Sequence, residues 1–158
     1  MDPWVLRPAR RRDRSFIGAL ATEAFASYGE YGPLLLDWFG TSGVEATIAE
    51  DEAGPAGLTV VAFVADPESA GGWVADLLAI AVALRARRRG LGRRLLEAAV
   101  ARAVHAARRW PVRGVRLSVA EDNLAARALF EDAGFEYTGR EEGFYPRGQR
   151  ALHMRRPV

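Results

Sequence analysis

The sequence contains no cysteine and no lysine. Without cysteine there can be no disulfide, no thiolate nucleophile and no cysteine metal site. Only two histidines occur, His105 and His153. They lie far apart, His105 in a helical pattern that reads as surface and His153 in a closing strand that reads as structural, so a metal site is disfavoured. No stretch approaches the roughly 20 apolar residues of a membrane span. The start, Met1-Asp2-Pro3-Trp4, lacks the basic residues and apolar run of a signal peptide, and the expected compartment is the cytoplasm.

All 22 basic residues are arginine. With abundant alanine and glycine this reads as compositional bias, so arginine number says little and arginine position says more. Arg85, Arg87, Arg88, Arg89, Arg93 and Arg94 crowd one short segment, and such a cluster favours an anionic ligand. The length of 158 residues, about half of them apolar, fits one domain spanning 1–158.

The pattern predicts an α/β fold in the order β-α-α-β-β-β-α-β-α-β-β. Strands are expected at Val5–Pro8, Val44–Glu50, Gly57–Ala65, Trp73–Leu84, Val112–Val119, Phe135–Thr138 and Ala151–Met154. Helices are expected at Arg12–Ala26, Leu34–Phe39, Gly90–Arg109 and Asp122–Ala133. Gly29 and Gly32-Pro33 read as breaks between the first two helices. The run Trp73–Leu84 is apolar enough to be a strand buried on both faces. The whole implies a mixed sheet with helices on both faces.

The most informative stretch is Ile80-Ala81-Val82 followed by Arg87-Arg88-Arg89-Gly90-Leu91-Gly92-Arg93. A buried strand ends, a basic glycine-containing turn follows, and a helix starts. The first helical amides lack internal partners and carry partial positive charge. Glycine lets backbone approach an anion, and arginine adds charge-assisted hydrogen bonds, so this is a phosphate cradle. A Walker loop is excluded because it needs lysine, and a dinucleotide fingerprint because Leu95 stands where its third glycine belongs. The plainer alternative is a helix start with solvated arginines.

Arg87-x-x-Gly90-x-Gly92 resembles the coenzyme-A pyrophosphate signature of the GNAT superfamily of N-acetyltransferases. A second block, Ser118-Val119-Ala120-Glu121-Asp122-Asn123 through Leu129-Phe130 to Gly134-Phe135, resembles that family's Asn-x-x-Ala…Leu-Tyr-x-x-x-Gly-Phe helix. Tyr145-Pro146 through Ala151-Leu152-His153-Met154 is similar to the closing strands of the ribosomal-protein alanine acetyltransferase branch. The resemblance implies a mostly antiparallel sheet splayed into a V between strands 4 and 5. It implies that backbone groups of Ile80, Ala81 and Val82 hold the pantetheine of acetyl-CoA. Amides from Arg88, Arg89, Gly90, Leu91, Gly92 and Arg93 would hold the pyrophosphate, Asn123 would approach the pantetheine arm, and Phe130 would lie near the sulfur. No metal is implied.

Two positions depart from the family pattern. Phe130 stands where a tyrosine general acid is common, and Ser118 where the alanine acetyltransferase branch often has a glutamate base. A serine hydroxyl is a poor base without a partner. Asp76, the one acid in the apolar run Trp73–Leu84, is a substitute base, against the alternative of a solvated strand-start residue. Tyr145 is a substitute acid, against the alternative of simple packing. Glu23, Tyr28, Glu30 and Tyr31 fall where the family lines its acceptor groove, and carboxylates with aromatics suit a cationic amine. The expected reaction is acetyl transfer from acetyl-CoA to a primary amine by direct attack in a ternary complex. The acceptor partner is a small amine or a peptide or protein N-terminus, and a homodimer is allowed. Competing readings are a non-catalytic acetyl-CoA-binding module and a nucleic-acid-binding domain. The latter is disfavoured because no aromatic–arginine repeat accompanies the cluster.

Overall fold

The computed structural model describes residues 2–158. The chain opens with β1 (Val5–Pro8), a 3-10 turn over Arg11–Asp13, then α1 (Arg14–Ala24) and α2 (Tyr31–Phe39). β2 (Val44–Asp51), β3 (Gly54–Ala65) and β4 (Trp73–Val82) follow. Then come α3 (Leu91–Ala106), β5 (Val112–Ala120), α4 (Leu124–Asp132), β6 (Glu136–Glu141) and β7 (Ala151–Pro157). The element order agrees with the sequence reading. The seven strands form one sheet, ordered β1-β2-β3-β4-β5-β7-β6. Every neighbouring pair is antiparallel except β4–β5, which α3 connects as a crossover. Among the described residues no helix is long and apolar enough to cross a membrane.

The second helix begins three residues earlier than its sequence suggests, through Gly32-Pro33. Proline is tolerated in a first turn, where its missing N–H has no helical acceptor anyway. Gly32 is there for contact: a Cβ would stand 2.4 Å from Thr22 Oγ1 and 3.0 Å from the Gly18 carbonyl of α1. The absent side chain thus lets α1 and α2 cross closely.

α1 and α2 cover one face, where Ile17, Leu20 and Leu35 pack on Ile48, Leu58 and Val60. α3 and α4 cover the other, where Leu96, Val100 and Phe130 pack on Val61, Val115 and Leu117. Both faces alternate along β3, as a two-residue period demands.

The central irregularity sits in β4. Val60 opposes Ala79, yet Val61 opposes Leu77, so Leu78 is an extra residue. Before this bulge Ala75 and Leu77 face α3; after it Ala79 and Ala81 face α1 and α2. The parallel ladder with β5 runs from Trp73↔Val112 to Leu77↔Leu117 and stops at the bulge. β4 continues to Val82 and β5 to Ala120 without each other. A bulge bends its strand and adds twist, which opens the sheet into a V.

Candidate active site

The V is a cleft lined by Leu77–Ile80 of β4, Leu117–Ala120 of β5, and Asn123, Ala126 and Phe130 of the α4 segment. Past Leu77 one edge of β4 has backbone donors and acceptors with no strand beside it. Ile80 faces this opening directly, whereas Ala81 and Val82 continue the same edge beyond it. The Val82 carbonyl already accepts a hydrogen bond from Arg87 Nε at 3.1 Å.

At the far end of β4 a tight turn leads into α3. Gly90 caps the helix at φ 79°, and Arg88 sits at φ 63°. For arginine that conformation costs about 1–2 kcal/mol. Two left-handed residues so close together fold successive amides toward one side, as in an anion nest. The turn's backbone bonds run from Arg87 N–H to the Leu84 carbonyl and from Arg94 N–H to the Gly90 carbonyl. Between them, among the described residues, the amides of Arg88, Arg89, Gly90, Leu91, Gly92 and Arg93 have no backbone acceptor. Six unpartnered donors around a helix start fit a pyrophosphate.

The arginine side chains contribute less than their number suggests. Arg85 pairs with Asp51, Arg87 with Glu23 at 3.7 Å, Arg93 with Asp132 and Arg94 with Asp2. Arg89 lies 4.6 Å over the Trp4 ring. Of the cluster, only Arg88 has no ion pair or ring partner among the described residues.

Asn123 caps α4 by accepting a 3.2 Å hydrogen bond from Ala126 N–H, and it lines the cleft. Phe130 lines the cleft floor, 4% exposed, with its ring 6.0 Å from that of Phe135. Its ring offers no proton donor to the cleft.

The opposite mouth is built from two loops distant in sequence. Tyr28 and Tyr31, between and at the start of the first two helices, meet Tyr145 of the β6–β7 loop, and all three line the cleft. Tyr28 and Tyr145 rings stand 5.2 Å apart, and Phe144 packs edge-on against Tyr145 at 4.9 Å. Backbone ties fix the loops together. Arg147 N–H donates to the Tyr28 carbonyl, Arg147 Nε to Ala26 and Gln149 Nε2 to Ser27. Burial pushes the phenols of Tyr28, Tyr31 and Tyr145 up, with Asp122 adding to the effect at Tyr28. Each therefore stays a hydrogen-bond donor at neutral pH. Beyond the tyrosines a groove continues along Leu34, Trp38, Leu78, Phe144 and Pro146.

Glu23 and Glu30 do not line the cleft or the groove; Glu23 turns to Arg87 instead. Asp76 lies on the ladder half of β4, opposite Arg116 in register, and Arg116 donates to its Oδ2 at 3.1 Å. It lines the groove and a polar depression beside it. His105 lies on α3, away from the cleft. His153 lies on β7, and its Nδ1 stands 2.8 Å from Ser118 Oγ. Ser118 thus has the partner its hydroxyl needs to pass on a proton, and no sequence motif links the two residues. Their separation of 35 residues along the chain hides a pairing that only the β5–β7 register reveals. Among the described residues no group of three His, Asp or Glu side chains converges as a metal site.

The model of the acetyltransferase (GNAT) family matches residues 10–135. The chain belongs to that family. It is an N-acetyltransferase that uses acetyl-CoA as its acyl donor. Solved structures share the fold over nearly the whole chain. Arabidopsis thaliana NAA60 bound to a bisubstrate analogue superposes with a TM-score of 0.85 at 16% identity, covering 98% of each chain. The Escherichia coli ribosomal-protein-S18-alanine N-acetyltransferase gives 0.81 at 22% identity, covering 98% of this chain and 94% of that one. Ard1 from Thermoplasma volcanium gives 0.80 at 22% identity, covering 99% of each. No curated protein matches this chain in sequence.

Proposed function

We propose that this acetyltransferase, one domain of residues 1–158, acetylates a primary amine at the head of an apolar group, such as a peptide N-terminus. The observation that carries this reading is the two-ended cleft. Unpartnered helix amides mark the donor end, and an aromatic groove enters from the other. Arabidopsis thaliana NAA60, which shares this fold, was solved with a bisubstrate analogue, and this supports the reading. The compartment proposed is the cytoplasm, and a homodimer is the assembly to test by light scattering.

The amides of Arg88–Arg93 hold the pyrophosphate, and the open edge at Ile80, Ala81 and Val82 holds the pantetheine. Asn123 and Phe130 wall that channel. The bound donor supplies an activated acetyl thioester at the tip of the V. Tyr31 and Tyr145 narrow the acceptor mouth and offer their ring faces to an ammonium. Tyr28 orients Tyr145, and Glu23 and Glu30 shape the field from outside the groove.

Tyr145 is proposed as the donor to the departing sulfur. Burial holds its proton more tightly, whereas a free thiol has a pKa of about 8.5. Complete transfer from phenol to thiolate is uphill, so Tyr145 assists by hydrogen bonding to the developing charge. Asp76, whose Oδ2 is held by Arg116, is the alternative acceptor for the amine's first proton. Release of free thiol from acetyl-CoA, assayed with small amines, polyamines and peptides X-Ala-Ala-Ala-Tyr, tests the reading. Turnover should be greatest on peptides with apolar X. Equal turnover on polyamines would overturn the acceptor assignment.

A further inference from the structure

Ser118 lines the thioester cleft, the aromatic groove and the polar depression alike, so it stands where all three meet. It opposes His153 across the β5–β7 ladder on the same face of the sheet. Its Oγ lies 2.8 Å from His153 Nδ1, and His153 Nε2 lies 3.3 Å from Glu141 Oε1. The Phe144 ring stands edge-on to the imidazole at 5.8 Å. Three strands thus align a hydroxyl, an imidazole and a carboxylate, running from the reaction cleft toward water. We propose that Ser118 and His153 form a proton relay that deprotonates the incoming ammonium, with Glu141 as its positioning residue. This rests on the amine-acetylation reading above.

The chemistry follows from what each group can hold. An alcohol cannot keep a proton, but it can pass one on. Nε2–H donating to Glu141 fixes the tautomer in which Nδ1 is a free acceptor for the Ser118 hydroxyl. An ammonium at the cleft gives one proton to Ser118 Oγ while the Ser118 hydroxyl proton moves to Nδ1. The imidazolium so formed faces Glu141, and His153 is about one-third exposed, so its proton can leave to water. The neutral amine then attacks the thioester carbonyl carbon. As the N–C bond forms and the C–S bond breaks, the electron pair leaves on sulfur. The second proton from nitrogen ends on that sulfur as thiol. No other reactant is needed.

The surrounding charges suit this use. Arg116, next along β5, is held by Asp76 of β4. Arg155, next along β7, is held by Asp66 and Glu68 of the β3–β4 loop. Both cations beside the imidazole are therefore matched by their own carboxylates. Glu141 on β6 is the carboxylate directed at the ring itself.

The test uses acetyl-CoA with the peptides X-Ala-Ala-Ala-Tyr, the intact chain, and pH–rate profiles on the best acceptor. His153→Gln and Ser118→Ala should each lower kcat by about 10²-fold. Their acetyl-CoA affinity should be unchanged, and the low-pH limb of the profile should be lost. Adding Ser118→Glu to His153→Gln should recover most of that loss, because a carboxylate there takes the proton directly. A structural role for His153 would not give this recovery. Nitrogen NMR of His153 should show a protonated Nε2 in the wild type and an altered Nδ1 signal in Ser118→Ala, even without an acceptor. Full kcat in both single variants would overturn the relay alone, as would loss of the acid limb in Asp76→Asn only. Absence of wild-type turnover on every peptide and amine, with acetyl-CoA bound, would overturn the acetylation reading and the relay with it.

Discussion

The proposed donor end and the proposed acceptor end of the cleft are built by different means. The donor end is backbone: six consecutive amides, a glycine at φ 79° and a strand edge, all between Ile80 and Arg93. The acceptor end is side chain: Tyr28 and Tyr31 from the first two helices, Ser118 from β5, Tyr145 and His153 from the closing hairpin. A backbone site tolerates sequence change provided its conformation is kept, so one scaffold can serve many amines. A side-chain site changes with each substitution, and Ser118 is where that end departs from the pattern the family resemblance implies. On this proposal donor identity follows from local conformation, and acceptor identity from residues brought together from distant parts of the chain.

This contrast can be broken most strongly at Tyr145. Tyr145→Phe keeps the ring against Tyr28 and Phe144 but removes its hydroxyl. A hydrogen bond to a charged group is worth about 1.5–3 kcal/mol, so kcat should fall by about 10- to 10²-fold. Acetyl-CoA affinity, measured by calorimetry, should not move. A parallel loss of donor affinity would show that the two ends are not separable.

Acid should loosen the side-chain framework before the backbone one. Arg155 holds Asp66 by two hydrogen bonds, and Arg7 holds Asp13 likewise, with backbone amides of Glu68 and Arg10 adding to each. Those arginines, first, and the amides, second, bring both carboxyls down to about 2. The unfolded chain then binds more protons than the native one between pH of about 4 and 2. Stability from these pairs is fully present above the ordinary carboxylate range and is lost as pH falls through that window. Each should contribute about 1–2 kcal/mol, read from thermal melts. Asp66→Asn should flatten the pH dependence of stability and shift the melting temperature at pH 7 downward.

Gly92→Val probes the donor end. A Cβ at Gly92 would meet only Leu129 at 3.5 Å, an ordinary contact, so the variant should fold. A branched side chain in the first turn of α3 should crowd the phosphate approach and weaken acetyl-CoA binding about tenfold, or 1.4 kcal/mol. The amine KM should stay within twofold. Unchanged donor affinity in a folded variant would remove Gly92 from the cradle.

The conformation of the proposed donor end was readable because it is contiguous: strand, turn, glycine and helix in one fourteen-residue stretch. The element order was readable for a similar reason, since period-two and helical patterns are local. The bulge at Leu78 was not readable. Nothing in Asp76-Leu77-Leu78-Ala79 distinguishes a bulged apolar strand from a regular one, yet this extra residue ends the ladder that becomes the V. The α2 start was missed because Gly32-Pro33 usually stops a helix, whereas here the proline sits in the first turn and the glycine makes a close crossing. The Ser118–His153 pairing depended on strand register, which no motif encodes.

The arginine cluster gives the smallest effect and separates number from position. Sequence places six arginines near the turn before α3, and all six are equal in a charge count. The structure divides them. Arg93 is held by Asp132 at 3.2 Å, with both side chains more than half exposed. Such a pair has little net charge to offer a ligand, and exposed pairs are worth at most about 1 kcal/mol. Arg88 has no partner among the described residues and occupies the left-handed position at φ 63° that turns the amides inward. Arg88→Gly would relieve the backbone cost while removing the charge, and Arg88→Ala would remove the charge and keep the cost. If charge matters, both should raise the acetyl-CoA Kd about threefold at low salt, with the difference shrinking as salt screens it. Arg93→Ala should change it by less than twofold at any salt. If Arg88→Gly instead binds as well as the wild type while Arg88→Ala binds worse, the residue acts through conformation alone. The donor end would then be a backbone site throughout, and the contrast with the acceptor end would be complete.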